Sequence, residues 1–125
     1  MKSYQELDVW RLGMTLAETC YRITRGFPTT EMYGLTSQMR RASVSIAANI
    51  AEGYGRESTP AFIQFLRVSQ GSARELETHV LIAQRVEFLN GEDAAKLLGD
   101  CERISKMLRN LIRALQVKSK SPAGA

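Results

Sequence analysis

Apolar residues recur at three- and four-residue intervals in four blocks, separated by glycine, proline and small polar residues. That period predicts four amphipathic helices, and no strand signal competes with it. The first helix is expected from about Tyr4 to Arg25, with Ser3 and Glu6 in capping-box spacing and Gly26 placed to end it before Phe27-Pro28. On a helical wheel it carries two adjacent apolar stripes. Leu7, Trp10, Met14, Ala17 and Tyr21 form one, and Val9, Leu12, Leu16, Cys20, Ile23 and Phe27 the other. Together they are wider than one core seam requires.

The second helix is expected to begin with Thr36 as N-cap and to end near Gly53 or Gly55, where glycine tolerates a left-handed conformation. Met39, Ala42, Ser43, Ile46, Ala47 and Ile50 make its inward face, and side chains this small let a neighbouring backbone come close. Thr59-Pro60 signals the start of a third helix reaching about Phe88, with Phe62, Phe65, Leu66, Ser69, Ala73, Leu76, Val80 and Ala83 inward. Gly71 inside that helix costs roughly 1 kcal/mol relative to alanine, and a close backbone contact at Gly71-Ser72 is the expected reason. Asn90, three residues before Asp93, reads as N-cap of a fourth helix continuing to about Val117. Its inward side is Leu97, Leu98, Cys101, Ile104, Met107, Leu108, Leu111, Ile112 and Leu115.

Four such helices joined by short loops imply an all-α, antiparallel up-down-up-down four-helix bundle over residues 1–118, with 119–125 as a flexible tail. A chain of 125 residues has material for one core and not two. No secretory leader pattern and no membrane-spanning apolar run stands out, so cytoplasm is the expected location. Cys20 and Cys101 fall within helical patterns and read as small core hydrophobes, not ligands or nucleophiles. A disulfide between them is not expected in a reducing compartment.

Catalytic chemistry finds little to stand on. The single histidine, His79, lies at the edge of the third helix's core stripe without an apparent metal partner, Glu75 and Glu77 project to different faces, and no glycine sits in a phosphate loop. The expectation is a non-enzymatic protein with no metal and no cofactor.

Charge changes the picture more. The net charge of +4 is concentrated late in the chain: Arg103, Lys106, Arg109, Arg113, Lys118 and Lys120 follow Glu102 with no further acidic residue. Lys96, Arg103, Lys106, Arg109, Arg113 and Lys120 gather opposite the fourth helix's apolar side. A purely solubilising face normally mixes both signs. An unmixed one suits phosphates, giving salt-sensitive and sequence-tolerant affinity for RNA or DNA. Arg67 and Arg74 on the third helix are secondary candidates, although Glu75 and Glu77 nearby also fit a solvated face. No helix-turn-helix or aromatic stacking platform is present to read bases.

Arg40 and Arg41 form a separate case. Arg41 is expected to point away from the core and Arg40 to lie at its boundary, with an intersubunit or interhelical ion pair to Glu52 or Glu31 favoured over phosphate binding. Asn49 sits on the margin of the same face, placed to hydrogen-bond across an interface.

The segment Gln38-Met39-Arg40-Arg41-Ala42-Ser43-Val44-Ser45-Ile46-Ala47-Ala48-Asn49-Ile50-Ala51-Glu52-Gly53-Tyr54-Gly55-Arg56 identifies more than it explains. With Leu7-Asp8-Val9-Trp10, Phe27-Pro28, Glu31-x-Tyr33-Gly34-Leu35, Phe65-Leu66, Gly71-Ser72 and Glu75, it resembles the bacterial four-helix-bundle proteins encoded inside intervening sequences of 23S rRNA genes. The resemblance implies assembly into homopentameric rings, for which the wide apolar arc of the first helix offers a surface. It also implies kinship with the accessory variability protein of diversity-generating retroelements, a basic pentamer that binds nucleic acid and a reverse transcriptase. The resulting expectation is a homo-oligomeric bundle that binds nucleic acid through basic residues, beside a nucleic-acid-processing protein. The alternative is a scaffold that recruits a protein partner and has no direct nucleic-acid role.

Overall fold

Local side-chain and backbone hydrogen bonds set most helix ends in the computed structural model, which describes residues 3–120. α1 spans Asp8–Thr24, later than expected. Leu7 is extended (φ −74°, ψ 122°), so Tyr4–Glu6 form a separate 3-10 turn. Ser3 Oγ accepts from the Gln5 N–H at 3.1 Å and the Glu6 N–H goes to the Ser3 carbonyl, so the Ser3 hydroxyl does not take the Glu6 N–H as a capping box requires. The break lets Tyr4 set its ring edge-on to Trp10 at 5.3 Å while Leu7 packs against the core.

α2 runs Leu35–Tyr54. Its cap is not Thr36, which lies buried in the first turn, but the Glu31 carboxylate, which accepts from the Leu35 N–H at 3.1 Å. Gly55 ends it in right-handed geometry (φ −75°), and among the described residues no glycine has a positive φ, so the expected left-handed caps at Gly26, Gly53 and Gly55 do not form.

α3, Thr59–Arg85, is capped one residue earlier than expected: Ser58 Oγ accepts from Ala61 N–H at 3.2 Å. It stops at Arg85 through Glu87, whose φ of 66° lets the Glu87 N–H reach the Gln84 carbonyl and the Phe88 N–H reach the Ala83 carbonyl at 2.9 Å. α4, Gly91–Lys120, begins as expected with Asn90 Oδ1 accepting from the Asp93 N–H at 2.7 Å. It outlasts Val117, and the rest of the expected tail, residues 121–125, lies outside the described residues.

The four helices pack with antiparallel contacts around a square: α2 lies on α1 and α3, α4 lies on α3 and α1, and the backbones of the diagonal pairs stay farther apart. Leu16, Met39, Ile46, Ile50, Leu66, Leu76, Leu97, Ile104 and Leu108 fill the centre, fully buried. Each such side chain contributes about 1.5–3 kcal/mol by leaving water. All six expected inward residues of α2 are buried.

Close approach between helices occurs at Gly53 and Gly13, not at Gly71. A Cβ on Gly53 would lie 2.6 Å from Phe65 Cβ, and one on Gly13 would lie 3.4 Å from Ala47 Cβ. Gly71 has nothing within 4 Å of its notional Cβ, so the expected backbone contact there is absent. What α3 does bring to α2 near that point is hydroxyl groups: Ser72 Oγ meets Ser45 Oγ at 2.8 Å, and Ser69 Oγ donates to the Ile46 carbonyl at 2.7 Å.

Among the described residues no helix is long and apolar enough to cross a membrane.

Candidate functional site

Two outward surfaces stand apart from the core. The first belongs to α4. Arg103, Lys106, Arg109 and Arg113 are all exposed, over about 15 Å of helix at 1.5 Å per residue. Lys106 Nζ faces Glu102 Oε1 at 3.3 Å, but both side chains are more than 60% exposed and such a pair is weak. Arg103, Arg109 and Arg113 have no ion pair among the described residues. On α3, Arg67 is likewise unpaired, whereas Arg74 is engaged by Glu77 at 3.2 Å. Nearer the start of α4, Lys96 Nζ stands 3.4 Å from the buried Asp100 Oδ2 without making a hydrogen bond to it.

The second surface is built by α1 and the outer side of α2. The two stripes of α1 separate here: Val9, Leu16, Cys20 and Phe27 are buried, while Met14 and Tyr21 are about 40% exposed and Trp10 is half-buried. The stripe left outside borders an open groove of about 650 Å³ with Val44, Ala48 and Ala51 of α2. A second groove of about 620 Å³ adjoins it, sharing Tyr21 and Val44, and adds Gln38, Arg40, Arg41, Ser45 and Glu75.

Neither carboxylate expected for Arg40 meets it within the chain. Glu31 caps α2, and Glu52 pairs with Arg56 at 2.6 Å. Arg40 instead donates from Nε to Thr24 Oγ1 at 2.9 Å, reaches the Tyr21 carbonyl at 3.5 Å, and stacks on the Tyr21 ring at 4.6 Å. Arg41 is exposed and unpaired among the described residues. Asn49, expected to bond across an interface, spends its amide hydrogens inside the chain on the Ser45 carbonyl and Oγ, both at 2.9 Å. Gly71 lies exposed and uncrowded.

Arg22 and Arg25 were not singled out by sequence pattern, yet both border the apolar groove, beside the Tyr21 that Arg40 stacks on. Their spacing of three across the C-terminal end of α1 is the one signal that would have placed them on a shared side.

The remaining chemistry-bearing groups are inward. Burial raises both thiols. Cys101 is pushed up to about 12 by burial first, then by Glu77 and Asp100. For Cys20, a hydrogen bond to Ser43 and the charge of Arg40 partly offset the effect of burial. Both are free thiols held protonated in the core. His79 is half-buried with Nε2 unpartnered, and among the described residues no three His, Cys, Asp or Glu side chains converge as metal ligands.

The sequence matches the profile of the 23S rRNA-intervening sequence protein family over residues 5–110, and the chain belongs to that family. No curated protein matches it. The fold is similar to the crystal structure of a protein of unknown function from the S23 ribosomal protein family of Bacteroides thetaiotaomicron. That similarity has a TM-score of 0.76 at 24% identity and covers 84% of this chain and 98% of the other.

Proposed function

We propose that this member of the 23S rRNA-intervening sequence protein family is a non-enzymatic, cytosolic homo-oligomer that holds RNA or DNA by its phosphates on the outer side of α4. The observation that carries the reading is the division of labour between corners. The exposed cations Arg103, Lys106, Arg109 and Arg113 stand on the helix diagonally opposite α2, whose flank bears the apolar groove. Self-association through that groove leaves α4 open to solvent. The family resemblance supports a pentameric ring as the assembly. The resemblance to retroelement accessory proteins supports a nucleic-acid-processing protein as further partner.

The test is light scattering of the purified protein with and without a structured RNA at two salt concentrations. The expected result is a mass near five chains that rises with RNA at low salt and falls back at high salt. Four phosphate contacts give a slope of log K against log salt of roughly −3 to −4. Replacing Arg103, Lys106, Arg109 and Arg113 together by glutamine abolishes that binding without unfolding the bundle. Unchanged binding by that variant sinks the assignment.

A second reading, a scaffold for a protein partner, draws on the same apolar groove, because an open face with Trp10, Met14 and Tyr21 also suits a partner's apolar helix. It predicts capture that survives moderate salt and is indifferent to RNA.

A further inference from the structure

The geometry points to a phosphate-ester site in the groove that Tyr21, Gln38, Arg40, Arg41, Ser45 and Glu75 line, separate from the α4 stripe. Its centre is Arg40, a cation held in place entirely by neutral groups. The Thr24 hydroxyl spends its hydrogen on the Cys20 carbonyl at 2.8 Å, so toward Arg40 Nε it acts as an acceptor, at 2.9 Å. The Tyr21 ring backs the guanidinium plane at 4.6 Å. These contacts tie α2 to the end of α1, yet they use two of the five N–H donors that a guanidinium carries. The others form no ion pair among the described residues: Glu31 and Glu52 are occupied elsewhere, and Glu75, on the same groove, makes no salt bridge to Arg40.

Arg41 borders the same groove, exposed and unpaired. Two guanidiniums beside one cleft, one of them already oriented by stacking, suit an oxyanion, for which arginine's fixed fork is matched in geometry. Arg22 and Arg25 line the adjoining groove together with Glu18, so two cations there stand against one carboxylate.

Glu75 refines the ligand class. It lies on the same groove and is unpaired among the described residues, so it repels a bare anion but accepts from a donor beside one. A dianionic phosphate on a sugar meets both conditions, with phosphate on Arg40 and Arg41 and a sugar hydroxyl toward Glu75. The groove's volume of about 620 Å³ lies within the range of small-molecule sites. The ligand class is therefore a sugar phosphate, probed by a nucleoside monophosphate, free or at the phosphorylated end of a strand.

The test follows the arginine Nε–Hε signals of the protein by NMR, with AMP, inorganic phosphate and adenosine as probes. AMP shifts the Arg40 signal saturably, phosphate does so more weakly, and adenosine leaves it in place. Arg41→Gln, an exposed change that spares folding, weakens AMP by on the order of tenfold. Glu75→Gln narrows the gap between AMP and phosphate. The fourfold α4 glutamine variant keeps the AMP response, so failure of the α4 reading and failure of this one are told apart. A strand with a 5′-phosphate that shifts Arg40, where its 5′-hydroxyl counterpart does not, identifies a strand end as a source. An Arg40 signal indifferent to AMP, or a response unchanged by Arg41→Gln, overturns the proposal. So does an AMP-silent Arg41→Gln protein whose mass falls, which assigns the pair to a subunit contact.

Discussion

α2 and α4 stand at opposite corners of the same bundle and solve the same problem differently. Over residues 42–51 α2 has no charged residue on any side, whereas residues 102–113 of α4 include Glu102, Arg103, Lys106, Arg109 and Arg113. Inward, α2 sets small residues and close backbones between Met39, Ile46 and Ile50, with Ala47 beside Gly13 and Gly53 beneath Phe65. α4 relies on Leu97, Ile104, Leu108 and Ile112. Outward, α2 offers Val44 and Ala48 between two grooves, and α4 offers cations. A helix meant only to face water would carry charge there, and a helix meant only to be soluble would mix its signs. Each corner therefore bears a surface that the fold itself does not use, one apolar and one basic.

The comparison breaks most visibly if the outer side of α2 is charged. Ala48→Glu places a carboxylate on the apolar groove, one turn from Glu52 and away from Arg40 and Arg41. The alanine is exposed in the isolated bundle, so the helical signal at room temperature stays near that of the parent. On the proposed self-association through this groove, the mass should fall to one chain, because an ion buried at a contact costs several kcal/mol. The fourfold glutamine variant of α4 should do the reverse, keeping mass and losing RNA. A single variant that loses both would show the two corners to be one surface.

Next in size is Gly53→Ala. The new methyl meets Phe65 Cβ at 2.6 Å, Phe62 Cδ1 at 3.0 Å and the Phe62 carbonyl at 3.2 Å, so α2 and α3 must part. A loss of about 1–3 kcal/mol in urea unfolding is expected. Gly71→Ala, exposed and free of contacts, should gain about 0.5–1 kcal/mol. Equal effects at the two glycines would refute the close-packing account of α2.

These glycines also mark what a linear sequence reveals. The four helices, the inward faces and the Asn90 cap were legible because 3.6-residue periodicity and capping chemistry are local. Which glycine is crowded depends on how helices cross, so Gly71 attracted an expectation that belongs to Gly53. The caps failed for a related reason. Glu31 reaches Leu35 from a preceding 3-10 turn and displaces Thr36, and Leu7 leaves the helix so that Tyr4 can cover Trp10. The α4 cations could be read from composition, and their exposure agrees. The Arg40 surroundings could not be read, because Thr24 and Tyr21 lie sixteen or more residues away and no motif links them.

Alkaline pH sharpens the contrast from the inward side of α4. The Cys101 thiol has an ordinary pKa of 9.0 and is pushed up to about 12 in the fold. Between those values the unfolded chain releases a proton that the folded chain retains. Stability contributed by the protonated thiol is thus complete below pH 9 and is lost as pH rises toward 12, by about 1.4 kcal/mol per pH unit. Cys101→Ala loses core volume at every pH, but should flatten that dependence relative to the parent. An identical slope in both proteins would mean that water reaches the thiol and that α4 seals its side poorly.

The smallest effect is at the turn between α3 and α4. Glu87 sits at φ 66°, where a side chain costs roughly 1–2 kcal/mol that glycine avoids. The Phe88 N–H bond to the Ala83 carbonyl and the Phe88 ring against Phe27 at 5.9 Å keep the turn in that geometry regardless. Glu87→Gly should therefore raise unfolding free energy by about 1 kcal/mol, less the greater entropy of the unfolded glycine chain. It touches neither the α2 grooves nor the α4 stripe. A stabilised bundle with unaltered mass and unaltered RNA affinity would show that the two corners act as surfaces on a common scaffold. A shift in either property would instead couple that surface to the strain of the turn.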